Sequence, residues 1–281
     1  MKKTLVGFIG QGWVGKNYAD DFERRGFRVV RYGLESEYVG NKDQIKDCDV
    51  VFIAVPTPTT SQGFDYSAVK KVISLVGKGK IAVIKSTILP GTTELIQKAN
   101  SHCLALNSPE FLSEATAKYE AGNPFANIVG MPRKSKRYEV AAKKVHAVLP
   151  KAPFSLTCKS QEAELIKYAH NGSGYVQIIF FNLLYDLAKK IGADWAPIES
   201  AIEADPYVPN RYAKPVHKSG RGAGGHCFIK DFAALNKFYK KHVSDSKGRA
   251  VFRSLEQKNI DLLKSTNKDL DLLKGVYGAK I

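Results

Sequence analysis

The chain has 281 residues, of which 44% are hydrophobic and 25% charged, proportions ordinary for a soluble globular protein with room for two domains. Its formal net charge is +16, yet the lysines are spread along the chain without an arginine-rich arm, so we predict a basic surface that attracts small anions and binds no nucleic acid. No stretch approaches the ~20 apolar residues of a membrane span. The cysteines show neither close pairing nor metal-ligand spacing, so we expect a reduced, cytoplasmic protein with no membrane partner and no metal site.

Strand and helix patterns alternate through the first half of the chain. Helical spacing predicts helices at Trp13–Arg25 and Lys136–Leu149. Apolar runs predict strands at Leu5–Ile9, Phe27–Tyr32, Val50–Val55, Ile81–Ile84, Cys103–Leu106, Ile128–Val129 and Phe154–Cys158. This alternation predicts an α/β fold in residues 1–158, with a doubly wound, Rossmann-type parallel sheet that is covered on both faces.

A helical domain is predicted for residues 159–281. Its longest element is Gln161–Lys190, which is interrupted only by Gly172 and Gly174 and would be about 45 Å long as one helix. Such a length predicts a link between two domains or a dimer interface. After it come a helix near Pro197–Glu203, a proline-rich passage at Asp205–Pro215 and a charged helical tail at Arg249–Lys274.

A G-x-G-x-x-G motif lies between the first predicted strand and the first helix. There the glycines permit a tight turn, the close approach of a pyrophosphate and close packing of helix on strand, while the helix N-terminus faces the phosphates. The residues predicted to bind a dinucleotide are Gly10, Gly12, Trp13, Val14 and Gly15.

The second strand ends in Gly33, where such folds usually carry an acidic residue for the adenosine ribose. Glu35, two residues later, could substitute for it. Arg31 could instead meet the 2′-phosphate of NADP or stack on adenine. The sequence therefore predicts NAD as the cofactor without excluding NADP.

The segment Gly222–Asp231 reads G-A-G-G-H-C-F-I-K-D. Three glycines let a backbone pass close to a ligand. A thiol at Cys227, with Lys230 nearby, suits a thiolate nucleophile that faces a bound substrate. A buried cysteine at a turn is the alternative, because most lone cysteines are small core residues.

Further motifs follow one another in a specific order. They are A-V-P-T-P at 54–58, K-S-T at 85–87, P-G-T-T at 90–93, N-S-P-E-F-L-S-E at 107–114 and A-E-L-I-K-Y-A-H-N at 163–171, followed by the glycine–cysteine segment. Together they resemble the UDP-glucose/GDP-mannose dehydrogenase family from residue 4 to residue 240. Within it, the chain is most similar to the members that convert UDP-glucose to UDP-glucuronate.

The resemblance implies a twofold, NAD-dependent oxidation of the C6 alcohol of a nucleotide sugar to a carboxylate. Cys227 would capture the intermediate aldehyde as a thiohemiacetal, which is oxidised to a thioester and then hydrolysed. Lys167 would stabilise the developing oxyanion or transfer protons, and Asn171 would donate a hydrogen bond to the same oxygen. These two residues are four apart and so share a helix face.

The same resemblance implies further roles. Asp231 would orient water or act with Lys167, Glu110 would activate the hydrolytic water, and Thr87 would position that water. The residues implied for the cofactor are Val55, Pro56, Thr57, Ser86, Thr87, Glu114 and Lys230. Those implied for the UDP-sugar are Phe111, Leu112, Glu114, Lys167, Asn171, Arg211, Tyr212, Gly222, Gly224 and Gly225. It also implies a homodimer through the long helix near residues 161–190.

Three departures from the family leave alternatives open. The stretch between the second strand and Cys48 is shorter than in the family. The chain also ends soon after Cys227, where relatives carry a further domain, so we expect a more open cleft. His226 stands where UDP-glucose enzymes commonly have serine, so other UDP- or GDP-hexoses remain candidates. A homologue that binds the nucleotide sugar but catalyses weakly is a second alternative. A third is a β-hydroxyacid dehydrogenase of the 6-phosphogluconate type, an enzyme that would not need Cys227.

Overall fold

The computed structural model describes residues 4–218 and 220–279. The chain divides into two compact units. The first comprises the described residues up to Thr57 together with Asp65–Lys167, and the second comprises Pro58–Phe64 and the described residues from Tyr168 onward. This division differs from the predicted boundary at residue 158, because the start of the long helix belongs to the first unit.

The strands are two to six residues long. In chain order they are β1 (Leu5–Ile9), β2 (Arg28–Tyr32), β3 (Val50–Ile53), β4 (Thr59–Thr60), β5 (Gly63–Phe64), β6 (Ile81–Ile84), β7 (Leu104–Asn107), β8 (Ala126–Met131), β9 (Phe154–Lys159), β10 (Val216–His217) and β11 (Gly220–Arg221). The hairpins β4–β5 and β10–β11 were not predicted from the sequence.

The helices are α1 (Trp13–Arg24), α2 (Ser67–Val72), α3 (Thr92–Ala99), α4 (Ala117–Gly122), α5 (Lys136–Val148), α6 (Ser160–Ile191), α7 (Trp195–Ala204), α8 (Gly225–His242), α9 (Ser246–Ser265) and α10 (Leu270–Tyr277). The charged tail predicted as helical over Arg249–Lys274 comprises two helices, α9 and α10. The chain breaks between α9 and α10, where Asn267 and Asp269 adopt left-handed backbone angles, which short polar side chains tolerate best.

The first unit contains a seven-stranded sheet in the order β2-β1-β3-β6-β7-β8-β9. Neighbouring strands are parallel except for β7 and β8, so the predicted Rossmann-type sheet is confirmed as mostly parallel. Phe8, Phe22 and Phe52 form its aromatic core, with ring centroids 5.0–5.3 Å apart. Because β1, β3 and β6 are parallel neighbours, the segments that follow them emerge at one edge of the sheet.

The second unit is mainly helical. The rings of Tyr175 on α6 and Phe232 on α8 are stacked with centroids 3.8 Å apart, and Phe252 of α9 packs against Phe232. A second apolar cluster joins α8, α9 and α10 through Ile229, Leu263 and Leu273. The core of this unit therefore fixes α8 and the segment that precedes it.

Candidate active site

The glycine turn after β1 has the geometry of a dinucleotide cradle. Gly10 has a φ of 90°, and a β-carbon there would collide with the carbonyl oxygen of Ala54. A β-carbon on Gly15 would collide with the carbonyl of Gly10, so this glycine allows α1 to pack closely. At Gly12, by contrast, a β-carbon would have no protein atom within 4 Å. The protein itself does not fill this space, which leaves room for a pyrophosphate at the start of α1.

Two side chains join the ends of β3 and β6 at the same edge. The Ser86 hydroxyl donates to the Val55 carbonyl at 2.7 Å and accepts from the Val55 N–H at 3.0 Å. The Thr57 hydroxyl donates to the Thr87 carbonyl at 2.7 Å. Pro56 is exposed, whereas Thr57 is buried. These contacts fix the shape of this edge beside the glycine turn.

Lys167 and Glu110 form a buried ion pair in the first unit. The Lys167 ammonium donates to Glu110 Oε1 at 2.9 Å and to the Glu110 carbonyl at 2.6 Å, and Glu110 Oε2 accepts from the Leu112 N–H at 2.8 Å. Burial alone would raise the pKa of Glu110, but Lys167, Leu112 and Lys85 hold it below the ordinary value. Glu110 is therefore ionised at neutral pH despite its burial.

Lys85 is a buried cation that sequence analysis left without a role. Its ammonium donates to Ser108 Oγ at 3.2 Å and lies 4.5 Å from the ring centroid of Tyr18. Burial lowers its pKa to about 8, although the carboxylate of Glu110 opposes this shift. The motif K-S-T marked this lysine, but only the fold places it among buried neighbours.

The segment after Glu110 is partly buried. The ring of Phe111 lies 5.1 Å from that of Phe125 and packs on an apolar cluster with Ile128. Leu112 packs against the main core, and Glu114 is exposed. Packing thus accounts for Phe111 and Leu112, whereas Glu114 lies at the surface.

Cys227 lies in the first turn of α8 and is exposed. The alternative of a buried cysteine at a turn is therefore excluded. Cys48 and Cys103, in contrast, are buried, and burial raises the pKa of Cys48 to about 12 and that of Cys103 to about 11. Cys227 thus differs from Cys48 and Cys103 in that solvent reaches its side chain.

The buried residues Asn171 and Asp231 form a polar cluster with the partly exposed Lys230 in the second unit. Asn171 Nδ2 donates to Asp231 Oδ2 at 2.7 Å, and the Lys230 ammonium lies 2.5 Å from Asp231 Oδ1. Asp231 is only 2% exposed. Lys230, which we predicted to bind the cofactor, is paired with Asp231. That pairing holds the carboxylate one helical turn after Cys227.

The glycine segment before α8 is tethered by side chains from α9 and the loop after it. Asn259 Oδ1 accepts from the Ala223 N–H at 2.6 Å, and Asn259 Nδ2 donates to the Ala223 carbonyl at 3.0 Å. The Lys268 ammonium donates to the Gly222 carbonyl at 3.0 Å. Asp269 Oδ2 accepts from the Gly225 N–H at 2.8 Å. Sequence analysis missed Asn259, Lys268 and Asp269, and no local pattern marks them.

The three glycines of this segment differ in their surroundings. Gly222 has a φ of 87°, and the side on which another residue would carry a β-carbon lies against α9. The corresponding side of Gly224 lies against Lys268 and Asp269, whereas Gly225 faces open space with a φ of 78°. The protein's own packing thus requires glycine at 222 and 224, and Gly225 has the most room for a ligand.

The ring of Tyr212 packs against α6 at Gly174. It also contacts the ring of Phe228, at a centroid distance of 5.5 Å. A β-carbon on Gly174 would be 2.7 Å from Tyr212 Cε2, which explains a glycine inside a long helix. Arg211 is exposed, with its guanidinium 5.8 Å from the Tyr212 ring. Tyr212 therefore packs beside the residue that follows Cys227.

Among the described residues, no group of three or more His, Cys, Asp or Glu side chains could hold a metal ion. Within the same ranges, no helix has both the length and the apolar character that a membrane crossing requires.

Comparison with known proteins gives consistent matches. Residues 34–149 match the NAD-binding domain, and residues 161–259 the central domain, of the UDP-glucose/GDP-mannose dehydrogenase family. The UDP-glucose 6-dehydrogenase of Rickettsia conorii is 31% identical over 226 residues, which cover 77% of this chain and 51% of that protein. The chain thus spans about half the length of the curated relatives that it matches.

Two solved structures are similar. A UDP-glucose dehydrogenase from Pyrobaculum islandicum superposes with a TM-score of 0.77 and 26% identity, over 92% of this chain and 68% of that chain. A UDP-D-ManNAc dehydrogenase from Pyrococcus horikoshii gives a TM-score of 0.76 at 21% identity, over 94% of this chain and 73% of that chain, and this likeness supports the fold alone.

Proposed function

Because the chain belongs to the UDP-glucose/GDP-mannose dehydrogenase family, we propose that it is a nucleotide-sugar 6-dehydrogenase that oxidises UDP-glucose to UDP-glucuronate with NAD. The observation that carries this proposal is the exposed Cys227 at the start of α8, one helical turn before the buried Asp231 that Asn171 holds. A protein that only binds its ligand has no need of an exposed thiol in this setting.

Bound at the glycine turn of Gly10, Gly12 and Gly15, NAD would supply the hydride acceptor for each of two oxidations in the proposed reaction. After the first, the Cys227 thiolate adds to the C6 aldehyde, a C–S bond forms, and the carbonyl oxygen takes up a proton to give a thiohemiacetal. Loss of hydride from C6, with loss of the hydroxyl proton, gives a thioester. Water then adds to the acyl carbon and the C–S bond breaks, which returns the thiolate and leaves the carboxylate.

The polar residues have complementary proposed roles. Lys167 supplies positive charge, and Asn171 a hydrogen bond, to the oxygen on C6 as charge develops there. Glu110 accepts the proton that the hydrolytic water loses, since Lys167 keeps it ionised. Thr87 positions this water, and Asp231 keeps Asn171 oriented.

A turnover experiment tests the proposal. Purified protein mixed with NAD and UDP-glucose is expected to form two molecules of reduced cofactor per sugar. The absorbance of the reduced cofactor measures this yield. Cys227→Ser should abolish the formation of the carboxylate, whereas Cys158→Ser, a matched change on β9, should not. The absence of turnover with any UDP- or GDP-hexose and either NAD or NADP would refute the proposal. Calorimetric binding of UDP-glucose without turnover would favour a binding homologue instead.

The sugar itself is proposed from the relatives. His226 is exposed beside Cys227, and serine is common there in UDP-glucose enzymes, so a panel of sugars belongs in the assay. Higher kcat/KM for a UDP-N-acetylhexosamine or GDP-mannose than for UDP-glucose would reassign the substrate and leave the reaction class in place.

We also propose that the enzyme is a homodimer formed through α6. Five of its exposed apolar residues lie at spacings of three and four along one helix face, namely Val176, Phe180, Leu183, Leu187 and Ile191. A second copy can cover such a stripe with the same stripe. Light scattering is expected to give a dimer at micromolar concentration and a monomer for Leu183→Glu/Leu187→Glu. A monomeric unsubstituted protein would overturn this assignment.

The proposed compartment is the cytoplasm. None of the four cysteines takes part in a disulfide bond, and a reducing compartment keeps thiols in this state. A nucleotide-sugar dehydrogenase that uses the thiol of Cys227 requires the same condition. Secretion of the native chain into an oxidising compartment would contradict this placement.

A further inference from the structure

The end of β2 has an acidic group, although not at the usual residue. A β-carbon at Gly33 would collide with Glu35 Oε2 and would lie 3.2 Å from Gln11 Cγ. The Glu35 carboxylate therefore fills the space that a side chain at residue 33 would occupy. This space adjoins the glycine turn, because the Gly10 N–H donates to the Tyr32 carbonyl at 2.8 Å.

Hydrogen bonds fold the segment that carries Glu35 back onto the strand. The Glu35 carbonyl accepts from the N–H groups of Tyr38 and Val39, both at 3.0 Å. Asn41 Nδ2 donates to the Arg31 carbonyl at 3.0 Å. The position of Glu35 thus follows from a short turn, while its side chain remains exposed.

Arg31, the other candidate at this site, is already paired. Its Nη2 lies 2.7 Å from Asp20 Oδ1 and 2.6 Å from Glu23 Oε2, and its Nε lies 2.9 Å from Glu23 Oε1. The residue is only 9% exposed. Removing a buried guanidinium from two carboxylates to bind a phosphate would leave both carboxylates without their cation, so Arg31 is a poor receptor for a 2′-phosphate.

We propose that Glu35 binds the adenosine ribose hydroxyls of NAD and excludes NADP. A carboxylate can accept hydrogen bonds from both hydroxyls of a ribose and repels a phosphate in the same place. Gly33 is then the residue that makes space for the displaced acid. The inference rests on NAD binding by the first unit, not on sugar oxidation.

A binding experiment without sugar tests the assignment. Calorimetric titration with NAD and with NADP is expected to show tighter binding of NAD by the unsubstituted protein. Glu35→Gln should weaken NAD binding by about tenfold, the loss expected for hydrogen bonds to a charged acceptor, and should narrow the preference over NADP. Glu37→Gln, an exposed carboxylate two residues later, is the matched control and should leave both affinities unchanged.

A rescue variant strengthens the test. Gly33 does not have a left-handed backbone, so Gly33→Asp in the Glu35→Ala background can place an acid at the usual position and should restore NAD selectivity. Unchanged NAD affinity in both Glu35 variants, or equal affinity of the unsubstituted protein for NAD and NADP, would overturn the inference. Glu35-dependent NAD binding by a protein that oxidises no sugar would support it while the proposed function fails.

Discussion

Asp269 accepts a hydrogen bond from the backbone N–H of Gly225, at 2.8 Å, across 44 residues of sequence. It therefore covers the first N–H of the helix that carries Cys227. Asp269 also has a left-handed φ of 54°. A replacement at this position must therefore supply a hydrogen-bond acceptor and tolerate a left-handed backbone. Asn, which retains an acceptor and tolerates this backbone, is the matched replacement.

We expect Asp269→Asn to be nearly neutral and Asp269→Gly to lower the free energy of unfolding by about 1 kcal/mol, the value of a lost helix cap. Asp269→Ala should lose about 1–2 kcal/mol more, because alanine is strained in the left-handed region. Urea unfolding measures the series. Equal stability of the Ala and Asn variants would show that neither contact nor backbone is important.

Two glycines on α6 should respond in opposite directions to the same change. Gly174→Ala places a methyl group 2.7 Å from the Tyr212 ring and is expected to destabilise the protein by about 1–3 kcal/mol through overpacking. Gly172→Ala meets only Leu235 at 3.7 Å, so the better helix propensity of alanine should stabilise by about 0.5–1 kcal/mol. Thermal unfolding of both variants provides the comparison, and a shift of the same sign in both would contradict it.

The buried Lys167–Glu110 pair should be costly to break. Lys167→Met removes the ammonium that is directly ion-paired with the Glu110 carboxylate and is expected to cost about 3–5 kcal/mol at neutral pH. Since Lys167 holds the pKa of Glu110 below its ordinary value, the pair stabilises the fold above the unfolded pKa of that carboxyl, and the contribution is lost as pH falls through the folded value.

The cost of Lys167→Met should therefore shrink toward acidic pH, where Glu110 takes up a proton. Adding Glu110→Gln should recover most of the stability at neutral pH. Lys98→Met, at an exposed position on α3, is the control and should stay within about 0.5 kcal/mol. A cost that does not change with pH would argue for lost packing in place of an unpaired charge.

Lys85 should give stability an alkaline pH dependence. Burial lowers its pKa from the ordinary 10.5 to about 8, so between these values the unfolded chain binds a proton that the folded chain lacks. Stability from this group therefore rises with pH across that window and is lost as pH falls through 8. Lys85→Met should flatten the curve, which chemical denaturation at several pH values would reveal; parallel curves for both proteins would contradict the assignment.

The elements that sequence predicts well are those with a local signal. The turn at Gly10–Gly15 follows from a strand, a glycine pattern and a helix that are contiguous, and α6 follows from its unbroken helical spacing. The antiparallel pairing of β7 and β8 could not be predicted, because a short apolar run does not specify the direction of its neighbour.

In the candidate site, too, local motifs could be predicted from the sequence, whereas contacts between distant residues could not. Motif order marks Cys227 and Lys167, but it does not show that Lys230 pairs with Asp231 or that Arg31 is held by Asp20. Long side chains choose among partners that only the fold brings near. Asn259 and Lys268 are remote from the glycine segment in sequence, so their contacts are properties of the fold.

The tethering of the glycine segment also determines when its amides meet solvent. The N–H groups of Ala223 and Gly225 are bound by Asn259 and Asp269, so deuterium can replace their hydrogens only after these side chains have detached. The protection factor of these two amides is therefore a direct reading of how often the end of α9 and its following loop release the segment. A fragment ending at residue 259, the limit of the matched central domain, would lack Lys268 and Asp269 and would expose the Gly225 amide permanently.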